Sequence, residues 1–488
     1  MTEISDFGLL VLVVAAGLAA ALLASKLSER APVPAPVLFL LAAAFASELF
    51  PAVEGHHVAI QTVERIAVVA LIVILFDGGM HVGWHRFRSA ALPITALGIV
   101  GTTATAALVA VIAHGVLGFG WTTAWILGAA LAPTDPAVMF SVLGNREIRG
   151  RSGTILEGES GVNDPVGIAL VIGIVEFATH GDATAWTIAG EVGIELAVGL
   201  AVGVAGGLAL VPLMQRVSLP REGFYPLMVL AVAGVLYGLA SILHGSGFLA
   251  VFLAGLVIGD IRAPFKNEIE RFNTSLASLA EIAVFVALGL TVDLNLVFAD
   301  DRWLDGLLLA AVVGLVARPV VVLILLAPLG VRLNERLFIA WGGLKGAVPI
   351  LLAAFVLLAE APGASRIYDV VFVVVAVSVL VQGSTIAFAA RRLEIAMRSV
   401  ETGPWELSVR LRHEPAHQAQ YVVRPGARAV GSTIRDLPLG DGVWISLVVR
   451  DGEARQASGS FAVQPGDEIY VLGRSDRTAT LRRLFEGR

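Results

Sequence analysis

Before residue 398 the chain is divided into thirteen apolar segments of membrane-spanning length, and this repetition constrains its fold more than any other feature. An apolar helix needs about 17–25 residues to cross a bilayer. The segments run over 7–25, 33–50, 58–76, 89–117, 121–144, 154–179, 185–215, 224–243, 246–260, 274–292, 303–328, 336–359 and 366–390, the ninth being short and close behind the eighth. In hydrocarbon every backbone polar group must be bonded within the protein, so such segments fold as helices. Composition agrees: mean hydropathy is +0.82 and 15% of residues are charged, where a soluble chain carries about 25%. The expected fold class is an all-α polytopic membrane protein of about 13 transmembrane helices, followed by a small cytoplasmic α/β domain.

Loop charges test this division independently. Alternate loops carry Lys26 and Arg30, Arg86 and Arg88, Arg146, Arg149 and Arg151, Arg216 and Arg221, Arg262, Lys266 and Arg271, Arg332 and Arg336, and Arg391, Arg392 and Arg398. The intervening loops hold Arg302 and Arg366, with Arg65 near the start of the third segment. Basic loops stay cytoplasmic, so the N-terminus is expected outside and the C-terminus inside. The acidic start, Met1 to Asp6, reads as leading into a retained first span rather than a signal peptide. There are no cysteines, which removes disulfide and thiolate chemistry, and a net charge of −6 argues against a nucleic-acid partner.

After Arg398 the pattern changes. Gln420–Arg424, Gly442–Arg450 and Asp467–Leu472 alternate like strands, separated by Pro-Gly and Asp-Gly turns, and Ser432–Asp436 suits one short helix. Two domains are expected: 1–398 in the membrane and 402–486 on its cytoplasmic side.

Two spans are interrupted. The fifth carries Ala132-Pro133-Thr134-Asp135-Pro136 and the twelfth Gly342-Gly343-Leu344-Lys345-Gly346-Ala347-Val348-Pro349. Proline removes a backbone donor and glycine weakens a helix, so both are expected to unwind at mid-membrane. With the seventh span as a linker, spans 1–6 and 8–13 form two inverted six-helix repeats with a broken helix at the fifth position of each. That arrangement points to the binding site of a secondary transporter.

The sixth span carries Glu157, Glu159, Ser160, Asn163 and Asp164. Carboxylates at mid-membrane cost about 2.5–3.5 kcal/mol on insertion scales and usually mark an ion or proton path. On a helix Glu157, Ser160 and Asp164 share a face, with Asp164 about 10 Å beyond Glu157. Thr134, Asp135 and Ser160 can supply further oxygens at the depth of Asp164, as potassium or sodium requires. Burial disfavours a charged carboxylate, so one such group holds a cation or a proton but not both, and that competition suffices for antiport.

The runs Thr134-Asp135-Pro136, Glu159-Ser160-Gly161-Val162-Asn163-Asp164-Pro165 and Gly343-Leu344-Lys345-Gly346-Ala347-Val348 resemble the cation:proton antiporter family of the NhaP and sodium/proton-exchanger type, as do Phe76-Asp77-Gly78-Gly79 and Glu281–Gly289. The likeness spans residues 5–395. It implies a core domain with crossing broken helices, a dimerisation domain and thus a homodimer, and exchange by alternating access. It further implies that Asp164 binds ion and proton, that Asn163 assists, and that Thr134 and Ser160 are ligands of the transported cation. Asp135 would hold the crossing, and Glu159 would pair with Lys345. Many sodium/proton exchangers have arginine where this chain has Lys345, and its Gly-Leu-Lys-Gly-Ala-Val form resembles the potassium/proton branch. Val430 to Gly473 resembles the C-terminal half of a regulator-of-potassium-conductance domain, without a nucleotide-binding half; a small regulatory ligand at 402–486 is one possible partner, its identity undetermined by the sequence.

Structural readings compete at several positions. Asp164 could be a buried carboxylate neutralised by Lys345. Glu281 and Arg318 could pair within the bundle or serve gating, and Asp77 could be a hydrated helix-end residue or a functional one. The histidines His81, His85, His244, His413 and His417 form no tight ligand cluster, and Glu157 has no assigned role. The expectation is an electroneutral potassium/proton antiporter of the inner membrane, not an enzyme and without a cofactor. Rivals are a sodium (or lithium)/proton antiporter on the same scaffold, a domain-gated potassium channel and a non-transporting sensor. The chain has no Thr-Val-Gly-Tyr-Gly filter such as channels use.

Overall fold

The computed structural model describes residues 33–49, 60–135, 146–148, 150–180, 185–261, 265–299, 301–399, 418–440, 442–450, 453–472 and 478–487, with scattered positions between 8 and 23 and at 139, 143 and 263. About half of the first expected span lies outside the described residues, as do Lys26, Arg30, Pro136, Arg149, Arg262, His413 and His417. Contacts divide the chain into a unit of Met1–Glu401 and a unit of Thr402–Arg488.

In the first unit the apolar segments are helices. They are α1 (Ala35–Leu49), α2 (Ile60–Val82), the short α3 (Trp84–Ser89), α4 (Ala91–Gly115) and α5 (Trp121–Leu131), then α6 (Arg151–His180), α7 (Ala185–Arg216), α8 (Phe224–Ile242), α9 (Gly247–Gly259) and α10 (Lys266–Gly289). After the short α11 (Leu294–Ala299) come α12 (Arg302–Leu326), α13 (Leu333–Gly342), α14 (Ala347–Leu358) and α15 (Ala364–Arg392). Among the described residues eight helices are long and apolar enough to cross a membrane, nine if the bent pair α13–α14 counts as one span. Two short strands close this unit, β1 (Arg146–Ile148) and β2 (Met397–Ser399), paired antiparallel.

Two boundaries depart from the hydropathy reading for the same reason. α2 runs past Asp77 to Val82, and α10 begins at Lys266 rather than near residue 274. Helix-forming polar residues at a membrane surface continue a helix that hydrocarbon started. In α10 the extension carries an i,i+4 pair, Lys266 Nζ to Glu270 at 3.3 Å.

Three helices contain a π-helical stretch, which no apolar pattern reveals: Ala96–Gly101 in α4, Val313–Ala317 in α12 and Ser378–Gly383 in α15. A π-turn widens the helix by one residue and leaves backbone groups mispaired, so it persists where something else is gained. All three adjoin the polar centre of the bundle. Gly98 packs against Val162, Arg318 directly follows the second stretch, and Ser378 and Gln382 lie in the third.

The second unit is an antiparallel sheet of order β3-β6-β4-β5, built from β3 (Gln418–Val422), β4 (Trp444–Arg450), β5 (Glu453–Arg455) and β6 (Glu468–Leu472). A 3-10 turn forms at Ile434–Asp436, and α16 (Thr478–Glu486) closes the chain. Tyr421, Val448, Ile469, Val471, Leu481 and Phe485 make its core. The turn expected at Gln464-Pro-Gly-Asp467 is closed by Asp467 N–H donating to the Gln464 carbonyl at 3.2 Å. Arg450 grips Asp467 in a fork, Nε to Oδ1 at 2.7 Å and Nη2 to Oδ2 at 2.8 Å, and its guanidinium lies over Phe461. β5 and α16 were not among the elements expected from sequence: β5 is three residues long, and α16 has an apolar stripe of only Leu481, Leu484 and Phe485.

Candidate ion site at the crossing of two broken helices

The site starts from two interruptions. α5 stops at Leu131 and no regular structure follows over 133–135; α13 stops at Gly342 and α14 resumes at Ala347, bent by 46°. Each break leaves helix-end groups without intrahelical partners. The two stretches bond to each other instead, Asp135 N–H donating to the Leu344 carbonyl at 2.8 Å. Close approach needs glycine on both sides of Lys345. A Cβ on Gly346 would sit 1.9 Å from Asp135 Oδ2, and one on Gly343 would sit 1.7 Å from Arg318 Nε.

Lys345 reaches across the crossing. Its ammonium donates to the carbonyls of Ala132 and Pro133, each at 2.9 Å, and its own N–H donates to Ser378 Oγ at 3.0 Å. Those carbonyls are the orphaned C-terminal end of α5, where the helix dipole is negative and a cation is favoured. Ser378 in turn donates to Gln382 Oε1 at 2.6 Å, and Gln382 Nε2 donates to the Trp341 carbonyl at 3.2 Å. The third π-helical stretch thereby ties down the last turn of α13. Sequence reasoning passed over Ser378 and Gln382; two polar residues four apart in an apolar span were the available signal.

The expected Glu159–Lys345 pair is therefore corrected. Glu159 is bound by Arg318 of α12, Nη1 to Oε1 at 2.7 Å and Nη2 to Oε2 at 3.0 Å, and Nη2 also reaches the Ile339 carbonyl at 3.3 Å. A planar fork satisfies both carboxylate oxygens, which a lysine point charge cannot do. The alternative Glu281–Arg318 pair is corrected by the same contact. Glu281 Oε1 is buried with no hydrogen-bond partner among the described residues, and the Glu281 charge is felt with that of Asp135.

Around Asp164 the pattern is the reverse. Asn163 Nδ2 donates to Thr134 Oγ1 at 2.8 Å, which joins α6 to the first interruption. Asn163 is 1% exposed and Asp164 3%, yet Asn163 Oδ1 and Asp164 Oδ1 have no hydrogen-bond partner among the described residues. Ser160 lies within hydrogen-bonding reach of Asp164, and the charges of Asp135, Lys345 and Glu159 act on it. Pro165 lies within α6 and brings no N–H to the Gly161 carbonyl, which frees another oxygen on this turn. Thr134, Ser160, Asn163 and Asp164 are all buried, and Asp135 is half-buried beside Gly346. The crossing thus gathers all five expected ion-site residues around oxygens that a desolvated cation needs.

Asp77 is not a hydrated helix end. It is buried within α2, accepts from Thr274 Oγ1 at 3.1 Å, and lies 3.3 Å from His81 Nδ1. Glu157, without a role in the sequence reading, is close enough to His81 for their charges to interact.

Two interrupted helices crossing beside a buried, half-satisfied carboxylate, within a many-helix membrane unit, define a secondary ion transporter. The chain belongs to the sodium/hydrogen exchanger family: residues 13–392 match the family described as "Sodium/hydrogen exchanger, transmembrane", and residues 419–486 match the TrkA-C domain. It is 31% identical over 484 residues to the K(+)/H(+) antiporter NhaP2 of Shewanella sp. (strain ANA-3), covering 96% of this chain and 81% of that one. It is 33% identical over 417 residues to the K(+)/H(+) antiporter NhaP of Alkalimonas amylolytica, covering 84% and 72%. Among solved structures it is similar in fold to the sodium proton antiporter MjNhaP1 from Methanocaldococcus jannaschii at pH 8, with a TM-score of 0.68, 23% identity, and coverage of 78% of this chain and 97% of that one.

Proposed function

We propose that the chain exchanges potassium for protons, with Asp164 holding either the cation or a proton. The observation that carries this reading is the bare Asp164 Oδ1 beside the Asn163–Thr134 bridge, inside the crossing of the two interrupted helices. A carboxylate out of water and short of partners must be neutralised by one or the other. Thr134 and Ser160 serve as further cation ligands, Asn163 orients the site, and Asp135 stays with the crossing. The curated relatives named as K(+)/H(+) antiporters support potassium as the cation.

Several finer points belong to the same proposal. The basic loops support an inner-membrane location with the N-terminus outside and the C-terminus in the cytoplasm. The protein works as a homodimer, and residues 402–486 adjust its activity, through a small ligand or their own conformational state. One exchanging carboxylate makes the cycle electroneutral.

The test is dequenching of a pH dye in everted vesicles, with potassium, sodium and lithium added separately. The proposal expects the strongest response to potassium and none from Asp164→Asn. Equal responses to all three cations remove the potassium assignment, and a stronger response to sodium replaces it. Undiminished exchange by Asp164→Asn removes the site.

A further inference from the structure

We propose that the short ladder β1–β2 is a switch through which the C-terminal unit acts on the ion-site helix. It rests on the antiport reading and on the regulatory role given above to residues 402–486, and adds the route between them. β2 lies on the stem that leaves α15 and ends the membrane unit at Glu401. β1 lies just ahead of α6, the helix of Glu159, Ser160, Asn163 and Asp164. The strands pair in antiparallel register, Arg146 with Ser399, Glu147 with Arg398 and Ile148 with Met397. A second contact anchors the same stem: Asn334 Nδ2, in the first turn of α13, donates to the Leu393 carbonyl at 3.0 Å. The stem over 393–399 therefore holds the leading ends of two helices, one bearing the carboxylate site and the other entering the second interruption.

The ladder has the properties of an element with two arrangements. Two strands of three residues are marginal without a third strand, and this pair rests on the membrane core through the partly buried Ile148 and Met397. Regulatory motions draw on such low-stability elements. A polar cavity of about 410 Å³ adjoins it, lined by Gly150, Arg151, Ser152, Arg332, Asn334 and Ala396 among others. The stem borders that space through Glu394, Ile395 and Ala396. Gly150, at φ 88°, separates β1 from α6 and provides the hinge. Coupling between distant sites requires a two-state element that both can bias, and the ladder is joined to both.

The chain has no cysteine, so an introduced pair reports on itself alone. Cα partners in an antiparallel ladder lie about 4.5–5.5 Å apart, within the roughly 4.4–6.8 Å that a disulfide spans. The full-length double variant Ile148→Cys with Met397→Cys is combined with Asp467→Asn or Arg450→Ala, either of which breaks the ion pair of the C-terminal unit. Potassium-driven exchange is measured in everted vesicles, oxidised and then reduced. In the parent and in the reduced pair the C-terminal substitution changes the initial rate or half-maximal potassium by about threefold or more. In the oxidised pair, where the ladder cannot open, that change disappears and returns with reductant. The same change with and without the disulfide overturns the route while leaving antiport standing. No effect of either substitution in the parent overturns the regulatory role and the route together. No exchange by the parent overturns the antiport reading itself.

Discussion

Two carboxylates five residues apart on α6 are equally buried and oppositely provided for. Glu159 has both oxygens bound by the Arg318 fork, whereas Asp164 keeps Oδ1 bare beside an equally bare Asn163 Oδ1. The difference is supplied from outside the helix. Glu159 faces α12 just after its π-helical stretch, and Asp164 belongs to the crossing, where Lys345 is already committed to the α5 carbonyls. Burial alone does not separate a structural carboxylate from a working one; the completeness of its partners does. A satisfied pair has no reason to exchange, and an unsatisfied carboxylate must.

The sharpest way to break this contrast is to unpair Glu159. Glu159→Gln or Arg318→Met leaves an uncompensated buried charge or an orphaned fork, and is expected to cost about 3–5 kcal/mol. The thermal midpoint of the purified protein in detergent reads this directly. Joint replacement by Leu and Met at the two positions should recover most of the loss. Asp164→Asn, by contrast, replaces a buried carboxylate whose Oδ1 has no partner among the described residues, so its midpoint should stay at or above that of the parent while exchange is lost. A similar drop in midpoint for Asp164→Asn and Glu159→Gln would erase the distinction.

Lys345→Met comes next, because it strips two helix-end carbonyls of a charged donor, each such bond being worth about 1.5–3 kcal/mol. The thermal midpoint should fall; an unchanged midpoint would remove Lys345 from its capping role. The fork in the C-terminal unit provides a parallel outside the membrane. Partial desolvation favours the neutral form of Asp467, but the Arg450 hydrogen bonds and the Gln464 N–H outweigh it and hold the carboxyl below the usual carboxylate range. A carboxyl held low stabilises the fold above its unfolded pKa, about 3.9, and that contribution is lost as pH falls through the lower folded value. Asp467→Asn should cost about 2 kcal/mol near neutral pH and flatten the acid dependence below about pH 4. Proteolytic release of residues 402–488 across a pH series measures both. The smallest effect falls on Thr134→Val, which breaks the bridge to Asn163. Half-maximal potassium should rise about tenfold, the equivalent of one lost hydrogen bond, with little change in stability.

Much of this architecture was legible in the chain because a bilayer is a simple solvent. It demands long apolar helices and penalises charge, so the spans, the interruptions at Pro133 and Gly343, and Asp164 stand out from the pattern. Partner choice was not legible. Arg318 lies 159 residues from Glu159, and only the folded chain shows that its fork, rather than Lys345, completes the carboxylate. The π-helical stretches were hidden for a related reason. A widened turn has the same hydropathy as a regular one, and only the polar pair Ser378 and Gln382 hinted at it. The β1–β2 ladder was equally hidden, since three-residue strands carry no readable period.

The central claim is that cation and proton compete for one carboxylate, and proton release on cation binding tests it most directly. Potassium is added to the purified protein in weakly buffered detergent, and the released protons are followed with a pH dye near the pH where exchange begins. Approaching one proton should leave per potassium bound in the parent and in Thr134→Val at saturating potassium, and none in Asp164→Asn. Potassium binding without proton release in the parent, or undiminished release from Asp164→Asn, would contradict the account.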